Sequence, residues 1–379
     1  MLTSSVFKDE HELFRRTVRA FFENEVEPHI AAWEKEHRIP RDLWLKAGEL
    51  GLLCPSVPVN YGGPGGDFLY NVIVAEETGY AIGGGSVTFT SHSDIVGFYL
   101  LNHASEAARE RWLPKMVSGE CSSAIALSEP GAGSDLQAIQ TRATSTSEGY
   151  LLNGAKTFIT NGLDADLFVV ACKTDPAAGA KGISLLIVEA GAPGFSLGKP
   201  LEKIGQRAAG TCELFFQDLH VPRGNLLGDE GRGFGIMMSE LPRERLNIAV
   251  RAFTSALRGF HLTAAYVKER KAFGAPVINF QTARHSLAEI KTELAVARSL
   301  LDRCLLRLAA GRLTAEDAAM AKLWIAEMEW RTLDRCLQLH GGYGYMMDYP
   351  IARLFVDARS RRIYGGSSEI MREYIGRFV

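Results

Sequence analysis

The spacing of hydrophobic residues changes twice along this chain of 379 residues, and this change constrains the fold most. Over residues 8–111, apolar residues such as Phe14 and Val18 recur at the helical steps of three and four. Over residues 119–228, short β-branched and aromatic runs alternate with turn residues, as strands and their connections do. Helical spacing returns beyond Gly233 and lasts almost to the C-terminus.

This order predicts an α+β protein that is mainly helical and divided into three domains. We expect an N-terminal helical domain over residues 1–120, a central antiparallel β domain over residues 121–228, and a C-terminal four-helix bundle over residues 229–379. A chain of 379 residues is too long for one small core, which agrees with this division.

Local signals mark three predicted boundaries. The dipeptides Asn153-Gly154 and Asn161-Gly162 are typical of turns between strands. Thr314 and Asp317 have the spacing of a capping box, which predicts the start of a helix in the C-terminal domain.

Composition narrows the classes of partner and compartment. Lys+Arg 42 against Asp+Glu 44 leaves a net charge of −2, so we expect neither nucleic acid nor an acidic membrane surface as a partner. The apolar runs are too short to cross a bilayer, and the N-terminus lacks a signal or transit pattern, which favours a cytoplasmic protein. Six scattered cysteines predict buried thiols, and nine histidines without an HExxH motif predict no metal site.

The segment Ala126–Asp135, with the sequence ALSEPGAGSD, is the most informative motif. The hydroxyls of Ser128 and Ser134 flank a Pro-Gly-Ala-Gly turn that exposes backbone amides. Such a loop offers several hydrogen-bond donors to a flat polar ligand. A glycine-rich turn alone is weak evidence for a site, but the whole string is specific.

The chain resembles the acyl-CoA dehydrogenases, flavoenzymes that oxidise the α,β bond of an acyl-CoA thioester. The resemblance extends over essentially the whole chain, in motifs at residues 125–135, 153–162, 240–246, 270–274, 338–344 and 364–370. It implies FAD as cofactor, an acyl-CoA substrate, a role in fatty-acid β-oxidation, an electron-transferring flavoprotein as acceptor, and a homotetramer. The chain has no GxGxxG motif between a strand and a helix, so the flavin must be held in another way.

The resemblance assigns cofactor contacts in two groups. Near the flavin ring it implies the segment Ile125, Leu127 and Ser128 with Gly133 and Ser134, together with Phe158, Ile159 and Thr160 of a second motif. For the adenosine pyrophosphate, across a subunit interface, it implies Arg270, Phe273 and Gln281 of one subunit with Gln338, Leu339, Gly341 and Gly342. Ser367 and Glu369 complete the set, and Glu369 either contacts flavin or caps the last helix.

The catalytic base is not where most of the family has it. Relatives carry a glutamate in a Tyr-Glu-Gly-Thr sequence, whereas this chain has Gly365 after Tyr364. The long-chain and isovaleryl enzymes carry the base on a C-terminal helix instead, and Glu244 falls on that position. Gly365 leaves room for a carboxylate from the opposite side and keeps an N–H for the thioester oxygen. Glu240, one turn earlier, is the rival, and a surface role for Glu244, paired with a neighbouring arginine, is the other alternative.

The resemblance also implies the substrate contacts. They are Ser134, Pro242, Arg243, Arg245, Tyr364, Gly365 and Gly366. Likeness to the long-chain type favours medium-to-long or branched acyl groups. Two other functions stay open at this point: a protein that binds flavin and CoA without dehydrogenation, and an acyl-CoA oxidase that uses oxygen.

Overall fold

The computed structural model describes residues 4–379. Its helices are α1 (Asp9–Phe21), α2 (Ile30–Glu36), α3 (Arg41–Glu49), α4 (Phe68–Tyr80), α5 (Gly97–His103), α6 (Glu106–Ser118), α7 (Gly233–Glu269), α8 (Gln281–Ala309), α9 (Ala315–His340), α10 (Pro350–Ala358) and α11 (Ser368–Gly376). Its strands are β1 (Ser123–Ala126), β2 (Arg142–Ser145), β3 (Gly149–Ile159), β4 (Leu167–Lys173), β5 (Ile183–Glu189), β6 (Phe195–Leu197), β7 (Cys212–Pro222), β8 (Leu226–Leu227), β9 (Lys271–Ala272) and β10 (Ala275–Pro276). The predicted fold class, helices then a sheet then helices, is confirmed.

The central sheet packs against the N-terminal helices through β4. The order is β6-β7-β3-β2-β4-β5-β8, with β1 paired to β4. Alternate residues of β4 enter two cores: Val169 packs with the N-terminal helices, and Val170 packs inside the β region. Every residue of β4 is buried as a result.

The sequence predicted an antiparallel β domain, but the sheet is not antiparallel throughout. The pairs of β3 with β2 and β7, of β5 with β4 and β8, and of β6 with β7 are antiparallel, but β1 runs parallel to β4. A single parallel bridge also joins Arg142 of β2 to Lys173 of β4. The parallel pair arises because the chain leaves β1, forms the β2–β3 hairpin and only then enters β4.

The Asn153-Gly154 dipeptide does not form the turn that its sequence predicts. Both residues lie inside β3, where the pairing with β7 shifts register between Leu152 and Gly154. Gly154 has φ +146°, and a Cβ there would lie 2.6 Å from Thr141 Oγ1. Glycine therefore serves a β-bulge and a close approach of two strands. The other dipeptide, Asn161-Gly162, does form a turn.

Three long helices dominate the C-terminal part. α7 packs against both α8 and α9, and the shorter α10 and α11 pack against α9. The predicted capping box is confirmed, since Thr314 Oγ1 accepts a hydrogen bond from Asp317 N at 3.1 Å. Pro242 lies within α7, and the helix continues through it. α7 also packs against α4 of the N-terminal part, which places its middle turns between the two helical regions.

All six cysteines are free thiols in buried positions, as predicted. Across residues 4–379, no helix combines the length and apolar character that crossing a membrane would require.

We expect Gly154→Ala to lower the temperature of thermal unfolding. The added Cβ would contact Thr141, and the φ of Gly154 disfavours a side chain, so the loss should be about 1–3 kcal/mol. Gly224→Ala is the matched control, because a Cβ at Gly224 meets nothing within 4 Å. Equal unfolding temperatures for the two variants would contradict the role of the bulge.

Candidate active site

A buried ion pair fixes the loop that follows β1. Lys156 Nζ lies 2.7 Å from Glu129 Oε1 and donates to the Leu127 carbonyl at 3.0 Å. Lys156 is fully buried and Glu129 nearly so. Glu129 also accepts hydrogen bonds from the backbone N–H groups of Gln140 and Thr141. A buried pair with its oxygens satisfied holds one conformation, so the motif loop is a fixed element.

The outer side of this loop is open. Ser128 is half-buried, and its carbonyl accepts a hydrogen bond from Thr157 N at 3.0 Å, which ties the loop to β3. Gly133 and Ser134 are exposed. A Cβ added at Gly131 or Gly133 would meet nothing within 4 Å. No packing contact in residues 4–379 therefore explains these two glycines, and the open space suits a ligand lying on the backbone.

Phe158 projects from the sheet beside this loop. It has φ +59° and is 70% exposed, at a point where the pairing of β3 with β7 is irregular. A large aromatic held exposed in a left-handed conformation is unusual and occurs at functional sites. The next side chain, Ile159, is buried in the β core, while Thr160 is half-buried.

Glu244 lies in the middle of α7 and is buried. Its Oε1 has no hydrogen-bond partner among the described residues. Burial raises the pKa of Glu244 to about 7, although the Tyr99 hydroxyl, Arg243 and Arg245 act in the opposite direction. Tyr99 comes from α5 and is itself buried; burial and the nearby Glu244 raise its pKa. The alternative of a surface carboxylate paired with an arginine is wrong, because Glu244 is buried and makes no ion pair in residues 4–379.

Glu240, the rival carboxylate, has a full set of partners. Its Oε1 accepts hydrogen bonds from Asn102 Nδ2 at 2.9 Å and His103 Nε2 at 2.8 Å. Its Oε2 pairs with Arg243, whose guanidinium carbon lies 3.5 Å from the centre of the Phe98 ring. Glu240 therefore links α7 to α5, and its oxygens are already engaged.

The Gly365-Gly366 dipeptide lies against the same stretch of α7. Arg245 Nε donates to the Gly365 carbonyl at 3.3 Å. A Cβ at Gly365 would lie 2.3 Å from Ile248 Cδ1, and Gly365 has φ +66°. Ile248 lies one turn beyond Glu244 on one face of the helix. The helix that carries Glu244 therefore also fills the space that a side chain at position 365 would need.

The residues around this dipeptide are held on both sides. Lys322 Nζ donates to the Gly366 carbonyl at 2.5 Å, and the N–H of the half-buried Tyr364 donates to Ser360 O at 3.1 Å. Ser367 is the N-cap of α11, and its side chain accepts a hydrogen bond from Ile370 N. Glu369 lies exposed in the first turn of α11, where a carboxylate interacts favourably with the helix dipole. Ser367, and not Glu369, is therefore the cap.

The residues that are predicted to bind the pyrophosphate lie at one end of the C-terminal helices. Arg270 follows α7, its guanidinium lies 5.6 Å from the centre of the Tyr343 ring, and its carbonyl accepts a hydrogen bond from Val277 N. Phe273 is 99% exposed. The start of α8 and the end of α9 supply the remaining members, Gln281, Gln338, Leu339, Gly341 and Gly342. The structure thus brings the ends of three helices together there.

Sequence reasoning missed the residues that support this site from neighbouring elements. They are Lys156 and Glu129 at the first loop, Tyr99 beside Glu244, Ile248 against Gly365, and Lys322 on Gly366. Lys156 and Glu129 stand inside the quoted motifs, which could have drawn attention to them. The others carry no local pattern, because their contacts depend on how α5, α7 and α9 pack.

Known proteins are similar to this chain over nearly its whole length. Family models for the N-terminal, middle and C-terminal domains of acyl-CoA dehydrogenases match residues 8–120, 124–219 and 231–379. The mitochondrial long-chain specific acyl-CoA dehydrogenase of Sus scrofa is 47% identical over 376 residues, covering 99% of this chain and 87% of that protein.

Solved structures show the same fold. An acyl-CoA dehydrogenase from Geobacillus kaustophilus has a TM-score of 0.96 and 47% identity over 99% of each chain. A glutaryl-CoA dehydrogenase from Mycobacterium smegmatis, solved with FADH2, has a TM-score of 0.91 and 26% identity over 98% of this chain and 95% of that one. The resemblance seen in the sequence is confirmed: the chain belongs to the acyl-CoA dehydrogenase family of FAD-dependent oxidoreductases.

Proposed function

We propose that this enzyme converts an acyl-CoA to the trans-2-enoyl-CoA, with Glu244 as the base that removes the α-proton. One observation carries the assignment: Glu244 is a buried carboxylate with an unpartnered oxygen, whereas Glu240 is fully paired. A base whose pKa lies near the working pH transfers protons efficiently, and burial raises that of Glu244 to about 7. The family assignment supplies the reaction, and the environment of Glu244 supplies the residue.

The thioester oxygen needs a hydrogen-bond donor while negative charge builds on it. We infer that the Gly365 N–H is this donor, since it bonds to no group in residues 4–379 while the carbonyl of the same residue is held by Arg245. Tyr364 and Gly366 lie on either side of this donor. On α7, Arg245 engages the dipeptide directly, whereas Arg243 pairs with Glu240 and Pro242 is half-buried.

The exposed groups at the β region fit a flavin. The loop that follows Ile125 exposes its backbone at Gly131 and Gly133, next to Ser134, and the exposed ring of Phe158 offers a π surface. We propose that these groups hold the ring of FAD with Leu127, Ser128, Gly133, Ile159 and Thr160. Bound FAD supplies the acceptor for the hydride that leaves Cβ. Ser134 would contact both the cofactor and the CoA chain near the thioester.

We propose that the second set of cofactor residues binds the adenosine pyrophosphate of FAD across a subunit interface of a homotetramer. A guanidinium and exposed glycine amides suit a pyrophosphate, because charge and close backbone approach combine there. The exposure of Phe273 and Tyr345 supports an interface at this end of the helices. The residues of this group are Arg270, Phe273, Gln281, Gln338, Leu339, Gly341 and Gly342. Ser367 and Glu369 are proposed as further contacts to FAD.

The preferred substrate and the acceptor are proposals as well. Similarity to the long-chain specific enzyme favours medium-to-long or branched acyl chains within fatty-acid β-oxidation. An electron-transferring flavoprotein is the acceptor that the family resemblance implies. A cytoplasmic location stays a prediction from the sequence.

Glu244→Gln should strongly slow anaerobic bleaching of the flavin by a panel of acyl-CoA thioesters. Glutamine keeps the size of the side chain but cannot accept the α-proton, so the rate should fall by about 10²–10⁴. The readout is the loss of flavin absorbance in a stopped-flow experiment.

Glu240→Gln is the control for that substitution. It should keep the bleaching rate within a few-fold, because Glu240 bonds to α5 and not to substrate. The reverse result, with bleaching intact in Glu244→Gln and lost in Glu240→Gln, would make Glu240 the base. If no thioester bleaches the native flavin, the protein binds without dehydrogenation; peroxide release in air would identify an oxidase.

The pH dependence of kcat/KM should have an acidic limb near the pKa of Glu244. Burial raises that pKa to about 7, and only the ionised carboxylate accepts a proton. As the pH falls below about 7, kcat/KM should therefore decrease roughly tenfold per pH unit. Steady-state assays with an artificial acceptor measure this limb, and a profile that stays flat down to about pH 5 would argue against Glu244.

Gly365→Ala should slow flavin bleaching although Glu244 is intact. The added Cβ would contact Ile248 Cδ1, and the φ of Gly365 disfavours a side chain, so we expect a loss of roughly tenfold or more. Ile248→Val in the same chain removes Cδ1 and should recover part of the rate. If Ile248→Val recovers nothing, the proposed steric relation between α7 and position 365 is wrong.

A further inference from the structure

Lys322 is a buried cation that no part of the reaction described above explains. It lies on α9 with none of its surface exposed, and its Nζ donates to the Gly366 carbonyl at 2.5 Å. Among residues 4–379, no carboxylate oxygen lies within 4 Å of this ammonium group. Burying an ammonium without an ion-pair partner costs free energy, so its single contact calls for a reason.

A second cation holds the neighbouring carbonyl. Arg245 on α7 donates to Gly365 O and also makes no ion pair in the described residues. Gly365 and Gly366 have φ +66° and +92°. Glycine can adopt these angles but does not restrict the backbone to them. One cation on α7 and one on α9 therefore each bind one of the two successive carbonyls of this dipeptide. Placing these like charges close together is unfavourable in itself, and Arg245 contributes to a lower pKa for Lys322.

We propose that Lys322 is a positioning residue, which fixes the Gly365-Gly366 dipeptide through the Gly366 carbonyl so that the Gly365 N–H points at the thioester oxygen. The inference rests on the proposed function, because it requires a thioester bound at that N–H. Lys322 acts through the backbone and does not touch the substrate.

The charge of Lys322 should make this contact sensitive to pH. Burial, and then the charge of Arg245, lower the pKa of Lys322 to about 8; Glu327 on α9 and Glu369 on α11 act in the opposite direction. Glu327 bonds to Ser368 and Arg362, and Glu369 is exposed. Above about pH 8 the ammonium loses its proton and becomes a weaker donor, so the dipeptide loosens.

The first experiment compares pH profiles of kcat/KM for the holoenzyme and its variants. The native enzyme should lose activity above about pH 8, whereas Lys322→Arg, which keeps its charge, should not. Lys203→Met is the matched control: burial also lowers the pKa of Lys203 to about 8, but Lys203 bonds to Thr211 in the β region. The control should keep the native alkaline limb. An alkaline limb that persists unchanged in Lys322→Arg would overturn the proposal.

The second experiment measures binding and does not depend on turnover. A 3-thia-acyl-CoA keeps the thioester carbonyl but has no β C–H to donate, and an S-alkyl-CoA of equal length lacks the carbonyl. Calorimetry should show that Lys322→Met weakens the binding of the 3-thia-acyl-CoA by roughly 10- to 100-fold and leaves the binding of the S-alkyl-CoA unchanged. Equal losses for both ligands would assign Lys322 a purely structural role and overturn the proposal.

The two proposals fail in different ways. If the native enzyme shows no preference for the ligand with a carbonyl and no acyl-CoA bleaches its flavin, the proposed function fails, and the role of Lys322 fails with it. If the native enzyme bleaches and prefers the carbonyl, but both Lys322 variants behave like it, only the role of Lys322 is wrong. Should Lys322→Met not fold, the profile of Lys322→Arg decides.

Discussion

The packing of one face of α7 against the Gly365-Gly366 dipeptide is the contact on which the site depends. Two side chains of that face meet the dipeptide, the guanidinium of Arg245 and the side chain of Ile248, and Glu244 stands next to Arg245 and one turn before Ile248. α7 is a continuous helix of 37 residues held by α4, α8 and α9, so this face cannot shift independently. The proposed base on α7 and the glycine at position 365 are therefore linked by one packing arrangement.

Hydrogen-bond and ion-pair partners, and not burial, distinguish the two carboxylates on that helix. Glu240 and Glu244 stand one turn apart and are both buried. Hydrogen bonds from Asn102 and His103 and a pair with Arg243 engage Glu240, which makes it a bridge between helices. Tyr99, Arg243 and Arg245 compensate Glu244 only in part, so desolvation raises its pKa. A buried carboxylate with a free oxygen is costly unless a ligand uses it.

The residues proposed to hold the cofactor follow a related principle. A buried Lys156–Glu129 pair anchors the loop after β1 from within, and an irregularity in β3 turns Phe158 outward. Rigid support below an open surface keeps donors and an aromatic ring in place before a ligand arrives. Cations buried behind backbone loops recur here, as Lys156 behind the first loop and Lys322 behind the second.

The amino-acid sequence was enough to predict the order of helices and strands, the cap at Thr314, the family, the loss of a side chain at position 365 and Glu244 as a candidate base. These features are local: they depend on periodicity, on capping spacing and on motifs of a few residues. The sequence misjudged Asn153-Gly154, because a turn and a bulge use the same residues and only the partner strand distinguishes them. Three-dimensional packing was needed to show that Glu240 is engaged and that Ile248 fills the space beside Gly365. It was also needed to place Tyr99 beside Glu244 and Lys322 on Gly366. Desolvation and hydrogen-bond partners come from residues distant in the chain, and no local pattern encodes them.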